Sequence, residues 1–182
     1  AETATSVFGI YFKLQSFFFM PLFGINNATI SIVAFNYVAR NPDRMVKTVK
    51  TAALAGLCIL LTGLAAFQLI PEVLLSLFDP SAEFMAMAVR ALRTISWCFP
   101  VAAVCIILGS TFQALGKAKQ AIFFSLLRKA FIVVPLTLLL PAMGFGATGV
   151  FLAEPISNVI GGTACYTTMW RTVYRRLGKE EQ

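Results

Sequence analysis

Five long apolar stretches occupy almost the whole chain. They cover residues 4–39, 48–70, 84–116, 119–141 and 147–170, and short charged or Gly/Pro-rich connections separate them. A bilayer core about 30 Å thick is crossed by about 20 helical residues, so each stretch is long enough to span it. The stretches leave no room for a soluble domain. The sequence therefore predicts a polytopic membrane protein with five transmembrane helices and a tail at 171–182.

The composition predicts that these spans are helical. Hydrophobic residues make up 58% of the chain and charged residues 13%, whereas soluble domains carry about 25% charged residues. Backbone groups find no water in hydrocarbon, so only helices or a closed β-barrel can cross it. The apolar runs are continuous and lack the alternation of barrel strands. The predicted fold class is all-α.

The positive charge is distributed at the ends of the apolar stretches. The chain has a net charge of +7, but its bases do not form one soluble patch, which excludes nucleic acid as a partner. They cluster at 40–50, 117–119 and 171–179, which fall on one side of a five-span topology. The positive-inside rule then predicts an outside N-terminus and a cytoplasmic C-terminus. Membrane lipid is the expected partner.

Residues that carry enzyme chemistry are scarce in the sequence. The chain has no His, and its four cysteines lie singly inside the apolar stretches without a CxxC pair. No nucleophile elbow, zinc-protease motif or phosphate-binding loop occurs. We therefore expect no catalytic residue, no metal site and no bound cofactor, and we predict that the protein is not an enzyme.

One face of the first stretch carries small and polar residues. At 100° per residue, Met20, Gly24, Asn27 and Ser31 all fall within about 40° of Lys13 around the helix. Ionisable groups in a span usually face a cavity or a partner helix. We predict a substrate or ion pathway along this face that includes Lys13, Gln15, Asn27 and Ser31. The alternative is that Lys13 extends to the outer headgroups.

The last stretch contains a carboxylate, Glu154, directly before Pro155. Proline removes a backbone donor and loosens the local helix, and an acidic group beside a broken turn is typical of a proton or cation site. Asn158 follows on the same face. We predict that Glu154 and Asn158 belong to the pathway and that Glu154 pairs with Lys13. The alternative is a carboxylate neutralised by a structural Lys or Arg.

Other residues inside the spans are predicted to be structural. Pro21 and Gly24 are expected to kink or unwind the first helix, and Arg128 is expected to pack between helices. Uncharged polar side chains are expected to bond across helices. The predicted structural set is Pro21, Gly24, Asn36, Gln113, Arg128 and Pro155.

Three groups of residues resemble a known family. The first comprises FKLQSF at 12–17, MPLFGIN at 20–26 and AFNYVARN at 34–41. The second is TFQALGK at 111–117 with LLRK at 126–129, and the third is GATGV at 146–150 with AEPI at 153–156. In this order and spacing they resemble the C-terminal half of multidrug and toxic compound extrusion (MATE) transporters, in the DinF-like bacterial branch.

This resemblance implies a protein of twelve helices in two lobes. The chain would supply helices eight to twelve, and its partner would be an N-terminal lobe of the same polypeptide that precedes it. The implied activity is secondary active export of small amphipathic organic cations, coupled to H⁺ or Na⁺ antiport. One alternative is a flippase of the same superfamily for lipid-linked sugars, with Lys13, Arg90, Arg93 and Arg128 at a cationic portal. Another is a small membrane substrate-binding module of an ATP-driven importer.

Overall fold

The computed structural model describes residues 2–79 and 81–174, which are almost entirely helical. The α-helices are α1 (Glu2–Val38), α2 (Pro42–Leu69), α3 (Pro71–Ser76), α4 (Ala82–Ser96), α5 (Phe99–Ala114), α6 (Ala118–Leu126), α7 (Val134–Leu140) and α8 (Gly146–Met169). A π-helical segment, Leu127–Val133, joins α6 to α7, and π-helical turns follow α7 (Pro141–Phe145) and α8 (Trp170–Tyr174). Most of the predicted tail lies outside the described residues. The predicted all-α fold class is confirmed.

The long helices have the length and composition of membrane spans. Within the described residues, three helices meet that test, at 5–38, 42–69 and 119–145, and α4 with α5 makes a fourth if the bent pair is one span. The fifth predicted span coincides with α8, whose 24 residues would extend about 36 Å. Helix α8 is not among the helices that meet the test, because Glu154, Pro155 and Asn158 lower its mean hydropathy. The protein is a polytopic all-α membrane protein.

Helix α1 is continuous from end to end. Its α-helical backbone runs from Glu2 to Val38 with Pro21 inside it. Unwinding at Pro21 and Gly24 is therefore absent, and the predicted kink there stays a prediction. Both residues lie on the exposed side of α1. Transmembrane helices tolerate proline because local adjustments and neighbouring groups satisfy the freed carbonyl.

The third apolar stretch is divided where the sequence predicts one span. Helices α4 and α5 meet at Trp97–Cys98 and are bent by 48°. Pro100 lies in the first turn of α5, where its missing N–H is not needed, and it cannot donate a hydrogen bond to the carbonyl of Ser96 at the end of α4. Proline thus explains both the end of α4 and the start of α5.

Side-chain caps mark the starts of α2 and α4. Asn41 accepts a hydrogen bond from the Arg44 N–H (3.3 Å), so α2 begins at Pro42, six residues before the predicted start at 48. Ser81 accepts from the Phe84 N–H (3.4 Å) and caps α4, within the turn that the sequence predicts there. Such caps satisfy amide groups that the first helical turn leaves open.

Helix α5 is the centre of the lobe, in contact with α1, α2, α6 and α8. Aromatic rings join it to the first two helices. The Phe67 ring lies 5.4 Å from Phe18 and 5.3 Å from Phe99, and Phe99 lies 5.5 Å from Phe19. Lipid tails are as apolar as these rings, so the gain comes from close packing and ring geometry rather than from water exclusion.

A glycine turn folds α8 back against α7. Gly144 (φ 97°) and Gly146 (φ 54°) adopt the left-handed backbone that favours glycine. Gly149 belongs to α8 rather than to the turn, and a Cβ there would lie 2.8 Å from Leu140 Cβ and 3.0 Å from Pro141 N. This close approach holds the 127–145 helix against α8.

Replacing Gly149 by Ala should destabilise this hairpin, since the added methyl group meets backbone that cannot move aside. We expect Gly149→Ala to lower the free energy of unfolding by about 1–3 kcal/mol. Gly109→Ala is the matched control because nothing lies within 4 Å of a Cβ at Gly109. Reversible unfolding of the full-length protein in detergent measures both. Equal stabilities of the two variants would contradict the packing described here.

Candidate functional site

A cleft of about 470 Å³ opens between α1, α5, the π-helical segment and α8. Apolar side chains of α1 form one wall, and charged side chains of the π-helical segment and α8 stand opposite. The lining residues are Phe12, Gln15, Ser16, Phe19, Met20, Phe23, Ala102, Ile106, Arg128, Lys129, Glu154 and Asn158. The cleft thus combines an aromatic surface with a single carboxylate.

Glu154 forms an ion pair with Lys129 inside this cleft. The Lys129 Nζ lies 3.6 Å from the Glu154 Oε1, with the lysine side chain 58% exposed and the glutamate 17%. The separation is longer than that of a close charged hydrogen bond, about 2.8 Å. The pair is therefore loose, and the exposed lysine has room to leave it.

Lys129 and Glu154 lie on adjacent helical segments with different backbones. Lys129 belongs to the π-helical segment Leu127–Val133, a geometry that is frequent at functional sites. Glu154 belongs to the α-helical backbone of α8 and precedes Pro155, which has no N–H to donate to the preceding turn. The two charges face each other across these segments.

The predicted direct pair between Glu154 and Lys13 is not formed. Among the described residues, Glu154 has its ion pair with Lys129, and Lys13 is exposed on α1 outside the cleft lining. Lys13 and Glu154 are each about two helical turns from the start of their stretches, but depth along a helix does not determine the direction of a side chain around it. The Arg128–Lys129 doublet is a usable sequence signal for a basic partner of Glu154. Adjacent helical residues point about 100° apart, so the two bases face different directions and one of them can face a neighbouring helix.

Three of the six predicted pathway residues come together. Gln15, Glu154 and Asn158 line the cleft. Asn27 and Ser31 remain exposed on α1, where the Ser31 hydroxyl donates to the Asn27 carbonyl (3.3 Å). The small and polar face of α1 therefore lies on the surface of these five helices.

Two hydrogen bonds fix α8 beneath the pair. The Ser157 hydroxyl donates to the Arg128 carbonyl (2.7 Å), and the Cys105 thiol donates to the Asn158 carbonyl (3.3 Å). The first bond ties α8 to the π-helical segment and the second ties it to α5. Glu154 is thus held from two sides, while Lys129 is not.

Other polar residues differ from their predicted roles. Asn36 donates to the Ile32 carbonyl of its own helix (2.8 Å) rather than to a neighbour, and Gln113 lines a second, smaller cavity with Arg128. A bond between helices that sequence reasoning missed comes from Gln68, which donates to the Arg93 carbonyl (2.9 Å) and Ser96 (3.0 Å). Within the described residues, no group of three or more His, Cys, Asp or Glu could hold a metal ion.

Comparison with known proteins places this architecture in a family. The MatE family model matches residues 1–139. This chain belongs to the MatE family. The chain is 24% identical over 147 residues to the multidrug export protein MepA of Staphylococcus aureus (strain MSSA476), covering 81% of this chain and 32% of MepA. It therefore spans about a third of the length of the curated relatives that it matches.

Solved MATE structures share the fold. An outward-facing multidrug resistance MATE transporter of the MOP superfamily superposes with a TM-score of 0.90 at 20% identity, over 98% of this chain and 40% of that one. The MATE multidrug transporter DinF-BH, solved as a ligand complex, superposes with a TM-score of 0.83 at 32% identity, over 91% and 37%. The resemblance drawn from the sequence is confirmed.

The Lys129–Glu154 contact is testable by a double-mutant cycle. Lys129→Met and Glu154→Gln should each destabilise the MatE protein, because each leaves one charge without its partner at membrane depth. The double variant should recover part of the loss, with a coupling energy of at least about 0.5 kcal/mol in thermal or chemical unfolding. Lys13→Met combined with Glu154→Gln is the control and should be additive. Coupling at Lys13 instead of Lys129 would reverse the assignment.

Proposed function

We propose that this MatE chain forms five helices of one lobe of a multidrug exporter, a secondary active antiporter driven by H⁺ or Na⁺. The observation that carries the proposal is the loose Lys129–Glu154 pair in an aromatic-walled cleft. MepA is named a multidrug export protein, and DinF-BH a multidrug transporter. Both names support export as the activity.

The aromatic wall suits small amphipathic cations. Phe12, Phe19 and Phe23 line the cleft from α1, and aromatic faces attract cations that have lost their water. A flat organic cation lying on this wall would have Glu154 opposite it. The Glu154 carboxylate could then exchange its Lys129 partner for the cation, or lose its charge by taking up a proton.

In the transport cycle that we propose, the exchange of partners at Glu154 is coupled to the side of the membrane on which the cleft is open. A carboxylate that binds a coupling ion in one step and substrate in another links the two fluxes. The exposed face of α1, with Lys13, Asn27 and Ser31, would meet a second lobe of the same polypeptide. Rocking of the two lobes would then open the cleft to alternate sides of the membrane.

The flippase alternative is disfavoured by the cation positions. A portal for lipid-linked sugar phosphates would gather several bases, but Arg90 and Arg93 are exposed on α4 and Lys13 on α1, outside the cleft lining. Arg128 alone of the four borders it. The match to much longer export proteins likewise disfavours a complete small binding module.

Neutralising Glu154 should uncouple transport. In the full-length protein, we expect Glu154→Gln to reduce gradient-driven efflux of ethidium at least about tenfold, equivalent to about 1.4 kcal/mol, while ethidium binding stays measurable. Ethidium is chosen because it is a flat, fluorescent organic cation of the kind that the aromatic wall suits. Imposed pH and Na⁺ gradients, applied separately, identify the coupling ion.

The matched control for this experiment is Glu72→Gln, which removes an exposed carboxylate of α3 outside the cleft. It should leave efflux unchanged. Wild-type efflux by Glu154→Gln would refute the coupling role of Glu154.

We also propose that the chain lies in a bacterial inner membrane with the α1–α2 turn and the C-terminus in the cytoplasm. Arg40, Arg44 and Lys47 flank this turn, and Lys117 and Lys119 flank the α5–α6 turn at the same end of the bundle. The positive-inside rule supports this orientation. The glycine turn around 143–146 would then face outward.

Cysteine labelling tests this orientation. In a full-length background without the native cysteines, a membrane-impermeant maleimide should label Met143→Cys in intact cells. Asp43→Cys should react only after permeabilisation. Both wild-type positions are exposed, so accessibility of the side chain does not confound the comparison. The opposite labelling pattern would invert the topology.

A further inference from the structure

The second cavity of the lobe is a polar chamber that the transport proposal does not use. It has a volume of about 220 Å³ and lies between α1, α5, α6, the π-helical segment and α8. The polar side chains in its lining are Asn26, Ser110, Gln113, Ser125 and Arg128, and Gly161 forms part of the wall. The volume is below the range of about 300–1,000 Å³ for drug-sized ligands, so the chamber suits a small occupant.

Arg128 brings a permanent positive charge to this chamber. Its Nε–H is buried and has no hydrogen-bond partner. Among the described residues that line the chamber, none is acidic. An arginine keeps its proton under all conditions that a protein meets, so the positive charge of Arg128 cannot be removed by deprotonation.

Glu154 does not neutralise this charge. Its carboxylate pairs with Lys129 at 3.6 Å, and no ion pair joins Arg128 to an acid within the described residues. The charge of Arg128 acts on Cys105 and Cys165, both in the chamber wall. Arg128 therefore borders the cleft but retains an uncompensated charge on the chamber side.

Contacts from α8 direct Arg128 toward the chamber. A Cβ at Gly161 would lie 3.2–3.3 Å from Arg128 Cβ, Cγ and Cδ, so the arginine stem lies across the glycine. Ser157 holds the Arg128 carbonyl at 2.7 Å. The direction of the side chain is thus set by α8 and not by contact with solvent.

Further hydrogen-bond donors surround the chamber. Gln113 and Ser125 are exposed residues whose side chains make no hydrogen bond to other described residues, whereas the Ser110 hydroxyl donates to the Ile107 carbonyl. The Asn26 Oδ1 is buried and unpartnered. Rotation of this amide by 180° exchanges its oxygen for an NH₂ group of similar shape. A guanidinium, two amides and a hydroxyl form a donor set that matches an anion.

We propose that the chamber binds one small inorganic anion, such as chloride, as a resident counter-ion of Arg128. A charge in the membrane needs either an opposite charge or water, and the donor set and missing acid favour the anion. The same donors suit a lipid phosphate, and the nanodisc experiment below distinguishes that source from a free anion. The proposal does not depend on export activity.

Thermal unfolding of the purified full-length protein tests the proposal. At constant ionic strength, replacing gluconate by chloride should raise the unfolding midpoint along a saturable curve, because a ligand of the native state stabilises it by mass action. Arg128→Gln should weaken the apparent affinity for chloride at least about tenfold, in line with loss of a charge-assisted bond. Lys47→Gln, which removes an exposed base far from the chamber, should leave the curve unchanged.

A glycine pair provides a second comparison. Gly161→Ala should weaken the chloride response because its methyl group displaces the Arg128 stem. Gly109→Ala, also in the chamber wall, has nothing within 4 Å of its Cβ and should retain the response. The proposal is overturned by a non-saturating effect, by the same chloride curve in Arg128→Gln, or by loss of the effect in nanodiscs of phosphatidylglycerol, which would identify a lipid phosphate.

Bromide diffraction keeps the test independent of variant folding. Crystals of the wild-type protein grown in bromide should show an anomalous peak in the chamber within hydrogen-bonding distance of Arg128. Bromide peaks confined to the protein surface, with water density in the chamber, would overturn the proposal.

Discussion

The structure of this lobe depends on where charged side chains lie in a lipid medium that cannot hydrate them. Three ionisable side chains, Arg128, Lys129 and Glu154, lie on two adjacent helical segments, and each needs a partner or water. Lys129 and Glu154 form an ion pair, with 3.6 Å between Nζ and Oε1. Arg128 points to a separate chamber, so one helical segment supplies positive charge to two cavities with different surroundings.

The irregular backbone follows from the same requirement. The π-helical segment Leu127–Val133 lies against α8, and a departure from α-helix in a span needs neighbouring groups that satisfy the freed backbone atoms. Here the Ser157 hydroxyl supplies a donor to the Arg128 carbonyl. Regular helix elsewhere, such as the unbroken α1, carries the aromatic contacts that hold the bundle together. The rigid aromatic packing of α1 thus supports the more adjustable backbone of the π-helical segment.

Sequence reasoning reached the charged residues but not their pairing. Glu154 was predicted at an ion site and lines the cleft, whereas Lys129 is its partner in place of Lys13. Depth along a helix can be counted from the sequence, since each residue rises about 1.5 Å. The direction of a side chain around the bundle depends on which helices touch, and a π-helical segment rotates every residue that follows it relative to a regular helix. Gln68 was missed for the same reason, because its partners lie 25 and 28 residues away.

The sequence by itself determined that the chain is an all-α membrane protein, since the hydrocarbon core admits few other solutions for such long apolar runs. It also carried the resemblance to MATE transporters. Tertiary structure alone decided that Glu154 meets Lys129 and that Arg128 also lines a second cavity. Those outcomes depend on contacts between helices distant in the chain, and lipid places the same demand on every helix without specifying which neighbour satisfies it.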